Sequence, residues 1–357
     1  MATIKDVAKR AGVSISTVSN VMAGRTSVGE ALRERVRAAI RDLDYHPNQI
    51  ARSLKVKQTN MIGMVIPDIT NPYFPELMRG AEDAARERGY LLVTANTDER
   101  LDLEREVISA FRSRCVDGLL LASTAAGGEV SHIRIVSDSG VPVVLVDRVP
   151  EGLLLDAVSV DNVKGAESCV RHLIRTGHRD IAIITGSLTT DVGRERLEGY
   201  RSALEEAGME IRSELVFEGD FRERCGYRLG KEILLRRSPP SALFVSNGAM
   251  ALGVLLALDE TGFACPRDIA LATFDDFPVG HAYHPHLTAV AQPVYELGSR
   301  SATLVIDRIE GRRTGGPVHL RLPAELRIRE STTGRLQEPV TPDRENPRRA
   351  GAMADRI

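Results

Sequence analysis

The sequence of 357 residues contains no tryptophan, and aromatic residues of all kinds make up only 4%. It has no run of 18 apolar residues, so no membrane-spanning helix is expected. The first residues, MATIKDVAKR, are polar and basic, so no signal peptide is predicted and a cytoplasmic location is expected. The cysteines are 40 or more residues apart, which predicts buried, reduced thiols and not a metal site; they are Cys115, Cys169, Cys225 and Cys265.

The motifs of the common α/β enzymes are also missing. The first strand of the main body is followed by PDITNPYF, which has no glycine, whereas a Rossmann dinucleotide site needs a glycine-rich turn there. No GxxxxGK[ST] segment and no GxSxG elbow occurs. The eight histidines form no metal-ligand pair. We therefore expect no enzymatic activity, no cofactor and no bound metal.

Charge is distributed unevenly along the chain. The net charge is −2, but residues 1–60 hold 11 lysines and arginines against 5 acidic residues, a net charge of +6. The remainder carries a net charge of −8. A small basic segment on an acidic body indicates that the segment, and not the body, meets a polyanion.

The apolar pattern of residues 1–47 predicts three short helices. Thr3 is a good N-cap of the first helix, with an acidic residue three positions later as in a capping box, and Gly12 ends that helix. Ser14 can cap the second helix, and a third begins at about Gly29. The third helix carries an apolar stripe at Leu32, Val36, Ile40 and Leu43. Two short helices joined by a glycine-containing turn, with a third behind them, fit a helix-turn-helix DNA-binding domain.

The second helix of this domain carries the candidate base-reading side chains. Small side chains let a helix approach base edges closely, asparagine can pair with adenine, and apolar atoms can meet a thymine methyl group. The candidates are Ile15, Ser16, Thr17, Ser19 and Asn20. Thr3, at the N-terminus of the first helix, is a candidate phosphate contact.

Residues 48–60, NQIARSLKVKQTN, join this domain to the body. Ile50 and Leu54 fall on one face of a helix of one or two turns, which is too short to be stable alone in water. Two readings of Leu54 are open. It packs on its own domain, or it is an exposed apolar side chain that needs a partner.

The body alternates apolar strands with amphipathic helices. Near-continuous apolar strands between helices predict parallel sheets covered on both faces. The pattern repeats halfway along, which predicts two lobes: lobe 1 at about 61–160 plus 292–332, and lobe 2 at about 161–291. The helix at 294–310 and the strands after it are predicted to return to lobe 1. Residues 333–357 are rich in proline and charge and are predicted to be disordered.

Candidate ligand-binding residues follow the strands of both lobes, because ligands of such α/β proteins bind beyond the carboxyl ends of the strands. Carboxylates and guanidinium groups can bind the hydroxyls of a polyol while an aromatic ring covers its apolar face. The candidates are Asn71, Tyr73, Phe74, Asp147 and Arg148 in lobe 1, and Arg196, Phe221, Asn247 and Asp275 in lobe 2. A purely structural role remains open for two places: Asp275 and Asp276 can cap the following turn, and Asp147 can form a strand-end salt bridge.

Three segments resemble the signature of the LacI/GalR family of transcriptional regulators: TIKDVAKRAGVSISTVSNVM, YHPNQIARSL and TNMIG. The resemblance extends over about residues 2–331. It implies a dimeric, ligand-responsive repressor that binds a palindromic operator, with a helix-turn-helix head and a two-lobed body like that of periplasmic binding proteins. It also implies that residues 48–60 hold a hinge helix that orders on operator DNA. Leu54 would then open a central base step from the minor groove, and Lys55 would lie along the same groove.

The same resemblance supports several ligand-binding candidates. Arg196 matches the arginine of R-x-x-G-[FY], Asp275 is the first acid of FDD, and Phe221 matches an aromatic residue that stacks on the effector. Asn247 and Asp147 match residues that relatives point at the ligand.

The sequence departs from the family pattern at three positions. Gly248 stands where an acid is common, and Thr189 and Thr190 stand where purine-responsive members carry a charged pair. The departure at Thr189 and Thr190 favours a sugar or sugar derivative over a purine. Two other classes share parts of the pattern: a carbohydrate-binding transport component, and an α/β enzyme without a regulatory role. The basic head speaks against the first, and the lack of a catalytic constellation against the second.

Overall fold

The computed structural model describes residues 2–22, 28–45, 58–114, 116–125, 128–277 and 284–333. The predictions for Leu54, Lys55, the hinge helix and the tail after Thr333 fall outside these residues. Contacts divide the chain into two units, an N-terminal unit that ends at Thr59 and a body that begins at Asn60. The two units are described separately.

The N-terminal unit contains α1 (Ile4–Ala11), α2 (Ile15–Met22) and α3 (Glu30–Asp42). The predicted capping box is present: the Asp6 carboxylate accepts the Thr3 N–H at 2.8 Å, and the Thr3 hydroxyl accepts the Asp6 N–H at 3.4 Å. Ser14 caps α2 by accepting the N–H of Thr17 at 3.1 Å. One fully buried valine of each helix forms the centre of the core: Val7, Val18 and Val36.

The turn between α1 and α2 requires glycine. Gly12 has a φ of +63°, and a Cβ atom there would lie 2.7 Å from the guanidinium of Arg35, which donates to the carbonyl of Ala11. The stripe predicted for α3 is wrong at Leu32, which is 38% exposed. This residue lies in the first turn of α3, outside the apolar cluster of the unit.

The body begins with a set of alternating strands and helices that forms most of lobe 1. In chain order these are β1 (Met61–Ile66), α4 (Tyr73–Glu87), β2 (Leu91–Asn96), α5 (Leu101–Ser113), β3 (Gly118–Leu121), α6 (Ser131–Asp138), β4 (Val143–Val146) and β5 (Asp156–Val160). A second set forms most of lobe 2: α7 (Asn162–Arg175), β6 (Ile181–Thr185), α8 (Asp191–Glu206), β7 (Val216–Glu218), α9 (Glu223–Leu234), β8 (Ala242–Val245), α10 (Gly248–Thr261), β9 (Ala270–Phe274) and β10 (Thr288–Ala291). The chain continues with α11 (Val294–Ile309), β11 (His319–Leu322) and β12 (Glu325–Arg327).

Each lobe is built on one six-stranded sheet. The order is β11-β5-β4-β3-β1-β2 in lobe 1 and β12-β10-β9-β8-β6-β7 in lobe 2. Every pairing is parallel except that of β10 with β12. The central strands are buried and separate two apolar clusters in each lobe, as expected for sheets with helices on both faces.

The predicted return of all of residues 292–332 to lobe 1 is wrong for the last segment. β11 pairs with β5 of lobe 1, but β12 pairs with β10 of lobe 2, and Leu326 packs into the lobe 2 core. The hydroxyl of Ser331 then accepts the N–H of Thr288 at 2.8 Å. The chain therefore crosses between the lobes three times: after β5, after β10 and after β11.

Of the helices in the described residues, none combines the length and apolar character needed to span a bilayer.

Candidate functional site

A cleft lies between the two lobes of the body. It is bordered by the segments that follow β1, β4, β6, β7, β8, β9 and β10. All nine residues predicted to bind a ligand line it: Asn71, Tyr73, Phe74, Asp147, Arg148, Arg196, Phe221, Asn247 and Asp275. Val192 and Gln292 also line the cleft and were missed. Gln292 follows β10, and the strand-end argument would have found it if the pattern TAVAQ had been recognised as a strand.

The lobe 1 wall is organised around a buried carboxylate. The hydroxyl of Tyr73 donates to Asp147 Oδ1 at 2.8 Å. Burial raises the pKa of Asp147 to about 6, although the guanidinium groups of Arg196 and Arg148 oppose this shift. Burial and the neighbouring carboxylate hold the pKa of the Tyr73 hydroxyl well above its usual range, so Tyr73 is a neutral donor.

Aromatic rings cover the same wall. The rings of Tyr73 and Phe74 meet edge to face, with centroids 5.1 Å apart. Both belong to the first turn of α4, and the side-chain oxygen of Asn71 accepts the Tyr73 N–H at 3.1 Å. The loop after β1 therefore fixes two rings and one amide at the cleft.

The lobe 2 wall holds a buried, immobilised arginine. Arg196 Nε donates to Asn162 Oδ1 at 2.9 Å, and one Nη group donates to the Ser246 carbonyl at 2.6 Å. The guanidinium carbon lies 3.7 Å from the centroid of the Phe274 ring, a cation–π contact. Within the part of the chain that the structure describes, no hydrogen bond uses the second Nη group, which can therefore donate into the cleft.

Asp275, which follows β9, is hydrogen-bonded to residues that follow the two neighbouring strands, β8 and β10. Its Oδ2 accepts the N–H of Gly248 at 3.1 Å, and its Oδ1 accepts from the side-chain amide of Gln292. The Oε1 atom of Gln292 is buried and has no partner among the described residues. An unpaired buried acceptor carries a free-energy cost that a donor on a bound molecule would remove.

Asn247 lines the cleft and also stabilises the backbone around it. Its Oδ1 caps α10 by accepting the Met250 N–H at 3.0 Å, and its Nδ2 donates to the Phe221 carbonyl at 3.0 Å. Asn247 therefore fixes the backbone of the aromatic residue on the same wall.

Three cleft residues have a left-handed backbone. Asp147, Phe221 and Asp275 have φ angles of +67°, +67° and +74°. This conformation is rare for a bulky side chain such as phenylalanine and persists only where the surroundings impose it. The end of the Phe221 ring packs against Gly186, where a Cβ atom would lie 1.8 Å from the ring. Such a concentration of strained backbone is typical of a binding site.

The structure also explains two features of the sequence, the glycine at position 248 and the role of Asp276. A Cβ atom at Gly248 would lie 2.5 Å from the Phe277 ring, so that ring occupies the space of the acid that is common there. Asp276 pairs with Arg327 at 2.7 Å and Arg329 at 2.6 Å, so it stabilises lobe 2. Asp276 therefore has a structural role through these ion pairs, which differs from the predicted capping of a turn, whereas Asp275 faces the cleft.

In the N-terminal unit, the candidate base-reading residues lie on one exposed surface of α2. Ile15 is 45% exposed, Ser16 and Ser19 are exposed, and Thr17 and Asn20 are half-buried. The N–H and hydroxyl of Thr3 both donate to Asp6. A phosphate contact from Thr3 would require Asp6 to release it.

Two family models match the chain. Residues 3–48 match the model for bacterial regulatory proteins of the lacI family, and residues 170–332 match the periplasmic binding protein-like domain. The ribose operon repressor of Escherichia coli is 40% identical over 309 residues, which cover 87% of this chain and 93% of the relative. The HTH-type transcriptional repressor PurR of Serratia proteamaculans is 36% identical over 315 residues, 88% of this chain and 92% of the relative. The chain belongs to the LacI family of bacterial regulatory proteins.

Solved structures of the family have the same fold. A CelR–cellobiose complex is 34% identical, with a TM-score of 0.71 over 93% of this chain and 100% of that one. The lac repressor dimer bound to operator and an anti-inducer is 26% identical, with a TM-score of 0.82 over 93% and 99%. An Enterococcus faecium family member with bound ribose is 30% identical, with a TM-score of 0.67 over 76% and 98%. These relatives confirm the prediction of a ligand-responsive, DNA-binding repressor and not an enzyme.

Proposed function

We propose that this LacI-family repressor responds to ribose or a closely similar monosaccharide bound in the cleft between its lobes. The observation that carries the proposal is the set of charged and aromatic side chains that converge on the cleft. Two carboxylates, Asp147 and Asp275, can accept hydrogen bonds from sugar hydroxyls, and Arg148 and Arg196 can donate them. The ring of Phe221 can cover the C–H face of the sugar.

The relatives of the chain favour a monosaccharide. Two of the relatives named above concern ribose: the Escherichia coli repressor by its name, and the Enterococcus faecium structure by its ligand. Gln292 adds an unpaired acceptor for one more hydroxyl.

For the N-terminal unit, we propose that the exposed surface of α2 reads the operator in the major groove. Its contacts are Ile15, Ser16, Thr17, Ser19 and Asn20. Thr3 contacts a phosphate, and in the hinge Leu54 and Lys55 enter the minor groove. Two chains bind a roughly palindromic operator as a dimer in the cytoplasm, because a two-fold protein matches a two-fold site.

Closure of the lobes connects sugar and operator in this proposal. On one side of the cleft, Asp191 of lobe 2 accepts the N–H of Val149 of lobe 1 at 2.6 Å. Next to it, Arg194 and Glu151 pair at 3.0 Å. A sugar that bridges both walls favours this closed state through its differential affinity for the two states.

The proposal is tested by fluorescence anisotropy on a symmetric operator selected from random duplexes. Ribose is expected to change operator affinity by about 5- to 150-fold, the usual range of allosteric coupling. Cellobiose and hypoxanthine are expected to leave it unchanged, and a duplex of unrelated sequence is the control for non-specific binding. A response to cellobiose or hypoxanthine with none to ribose would contradict the proposal.

Acid is expected to weaken sugar binding. Asp147 has a pKa of about 6, and its carboxylate accepts hydroxyl donors only when ionised. Affinity should therefore fall by about tenfold between pH 7.5 and pH 5, as measured by isothermal titration calorimetry. The Asp147→Asn variant should bind weakly at both pH values, without this dependence.

The same group has the opposite effect on folding. Because the folded-state pKa of Asp147 lies above its ordinary value of 3.8, the folded state binds the proton more tightly between about pH 6 and pH 4. Its contribution to the free energy of unfolding therefore rises as the pH falls through that window. A thermal melt at pH 5 therefore distinguishes two causes of a lost sugar affinity. Protonation of Asp147 leaves the protein folded, whereas general unfolding lowers the thermal midpoint.

A further inference from the structure

Arg148 is held in place by a carboxylate that does not line the cleft. Its two Nη groups donate to the two carboxylate oxygens of Glu99, at 2.8 and 2.6 Å. Only 4% of Arg148 is exposed. A two-point contact between a planar guanidinium and a carboxylate fixes the orientation of the fork as well as its position.

Glu99 belongs to a strained corner after β2. Asp98 and Glu99 are consecutive non-glycine residues in the left-handed region, with φ angles of +52° and +58°. The Glu99 N–H donates to the Pro67 carbonyl at 2.9 Å, and the side-chain amide of Asn96 donates to Asp98 Oδ1 at 2.6 Å. Backbone in this region is costly for such residues, and it persists where neighbouring contacts impose it. Here those contacts direct the Glu99 side chain at Arg148.

The corner also contacts the opposite lobe. Arg222 of lobe 2 donates to the carbonyl of Asp98 at 2.8 Å. Phe221, its neighbour in sequence, has its ring centroid 5.4 Å from the guanidinium carbon of Arg148. The corner thus meets lobe 2 beside the aromatic residue that lines the cleft, and both contacts require the lobes to be closed.

We propose that Glu99 is a positioning residue, which aims the Arg148 guanidinium at one hydroxyl of the sugar and so contributes to the choice of sugar. The inference rests on the proposed sugar-binding function of the cleft. Without Glu99, Arg148 remains charged and close to the cleft, but its fork is free to rotate towards Asp147 or Phe221. The expected loss is therefore selective for one hydroxyl.

The test uses ribose and a series of analogues that each lack one hydroxyl, with calorimetric titration of the full-length protein. The Arg148→Met variant identifies the hydroxyl that Arg148 binds, because discrimination at that position disappears. Glu99→Gln is expected to bind ribose about tenfold more weakly and to lose discrimination at the same position. Its affinity for the analogue that lacks this hydroxyl should be nearly unchanged.

Three further variants separate positioning from general damage. Glu99→Asp keeps the charge with a shorter side chain and should show a smaller loss at the same hydroxyl. Arg222→Gln weakens closure and should reduce affinity for every sugar in the series by the same factor. Glu129→Gln removes an exposed carboxylate that pairs with Arg105 in the same lobe, and should match the wild type.

The outcomes separate this inference from the function on which it rests. A wild type that binds no sugar of the series overturns the proposed function and this inference together. Two results overturn the positioning role alone, provided that the wild type binds ribose. In the first, Glu99→Gln binds every analogue more weakly by the same factor. In the second, Glu99→Gln matches the wild type. A thermal melt without sugar confirms that each variant is folded.

Discussion

The Asp275→Ala variant is expected to bind its operator with normal affinity but not to respond to its effector. In the folded chain, Asp275 accepts from the N–H of Gly248 and from the side chain of Gln292, and it faces the cleft. Hydrogen bonds to a charged group contribute about 1.5–3 kcal/mol each. Loss of two such bonds to sugar hydroxyls corresponds to an affinity lower by at least about a hundredfold. The operator-binding unit is a separate part of the chain, so its affinity for DNA without effector should stay the same.

The neighbouring acid provides a matched control for this prediction. Asp276 pairs with Arg327 and Arg329 and serves the fold of lobe 2. Asp276→Asn should lower the thermal midpoint but keep sugar affinity within about twofold, because Asp276 is not among the residues that line the cleft. Calorimetry and operator anisotropy measure both variants. An Asp275→Ala repressor that still responds to ribose at wild-type concentrations would remove Asp275 from the binding site.

The Gly186→Ala variant is expected to lose both stability and sugar affinity. A Cβ atom at this position would lie 1.8 Å from the Phe221 ring, a distance that no small adjustment can accommodate. Overpacking of this kind costs about 1–3 kcal/mol. Because the carbonyl of Phe221 is bonded to Asn247, the ring and not the backbone has to move, and the cover over the sugar is lost. Thermal denaturation and calorimetry measure the two losses.

A second substitution distinguishes a displaced ring from general damage at Gly186. The Gly186→Ala, Phe221→Ala double variant is compared with Phe221→Ala alone: without the ring there is no clash, so Gly186→Ala should lower the thermal midpoint much less than it does in the wild type. Sugar affinity should stay low, because the ring is absent. Gly316→Ala is the matched control, since a Cβ atom there meets nothing within 4 Å. If Gly186→Ala lowers the thermal midpoint equally with and without the Phe221 ring, Phe221 is not the source of the clash.

The sequence predicted the cleft well because the position of its residues follows from a general property of parallel sheets. Side chains that follow buried parallel strands meet at one edge of the sheet. Asp147, Asn247 and Asp275 could therefore be predicted from the strand ends alone, without the geometry of the lobes. It missed Gln292 because β10 is a short strand of small residues, which the apolar pattern did not distinguish from a loop. One of its two sheet partners, β12, comes only after α11 and β11, and only the folded chain shows this pairing.

Other features depend on contacts that no local pattern encodes. The two short strands near the end of the body have similar sequences, HLRL and ELR, yet they join different sheets. The assignment depends on which sheet edge is free, a property of the whole fold. Likewise, the left-handed corner at Asp98 and Glu99 contains no glycine that would have marked it, and its pairing with Arg148 joins residues about fifty positions apart.

The three crossings between the lobes have a consequence for how the body forms. Neither lobe is an uninterrupted stretch of chain: lobe 1 receives its edge strand β11 only after all of α7 to β10 has been made, and lobe 2 receives β12 last of all. On the ribosome, both halves therefore remain incomplete until the final strands emerge. A chain that stops after β10 would turn β5 and β10, which are buried in the complete body, into exposed edge strands, and this favours aggregation over a half-sized, sugar-binding fragment.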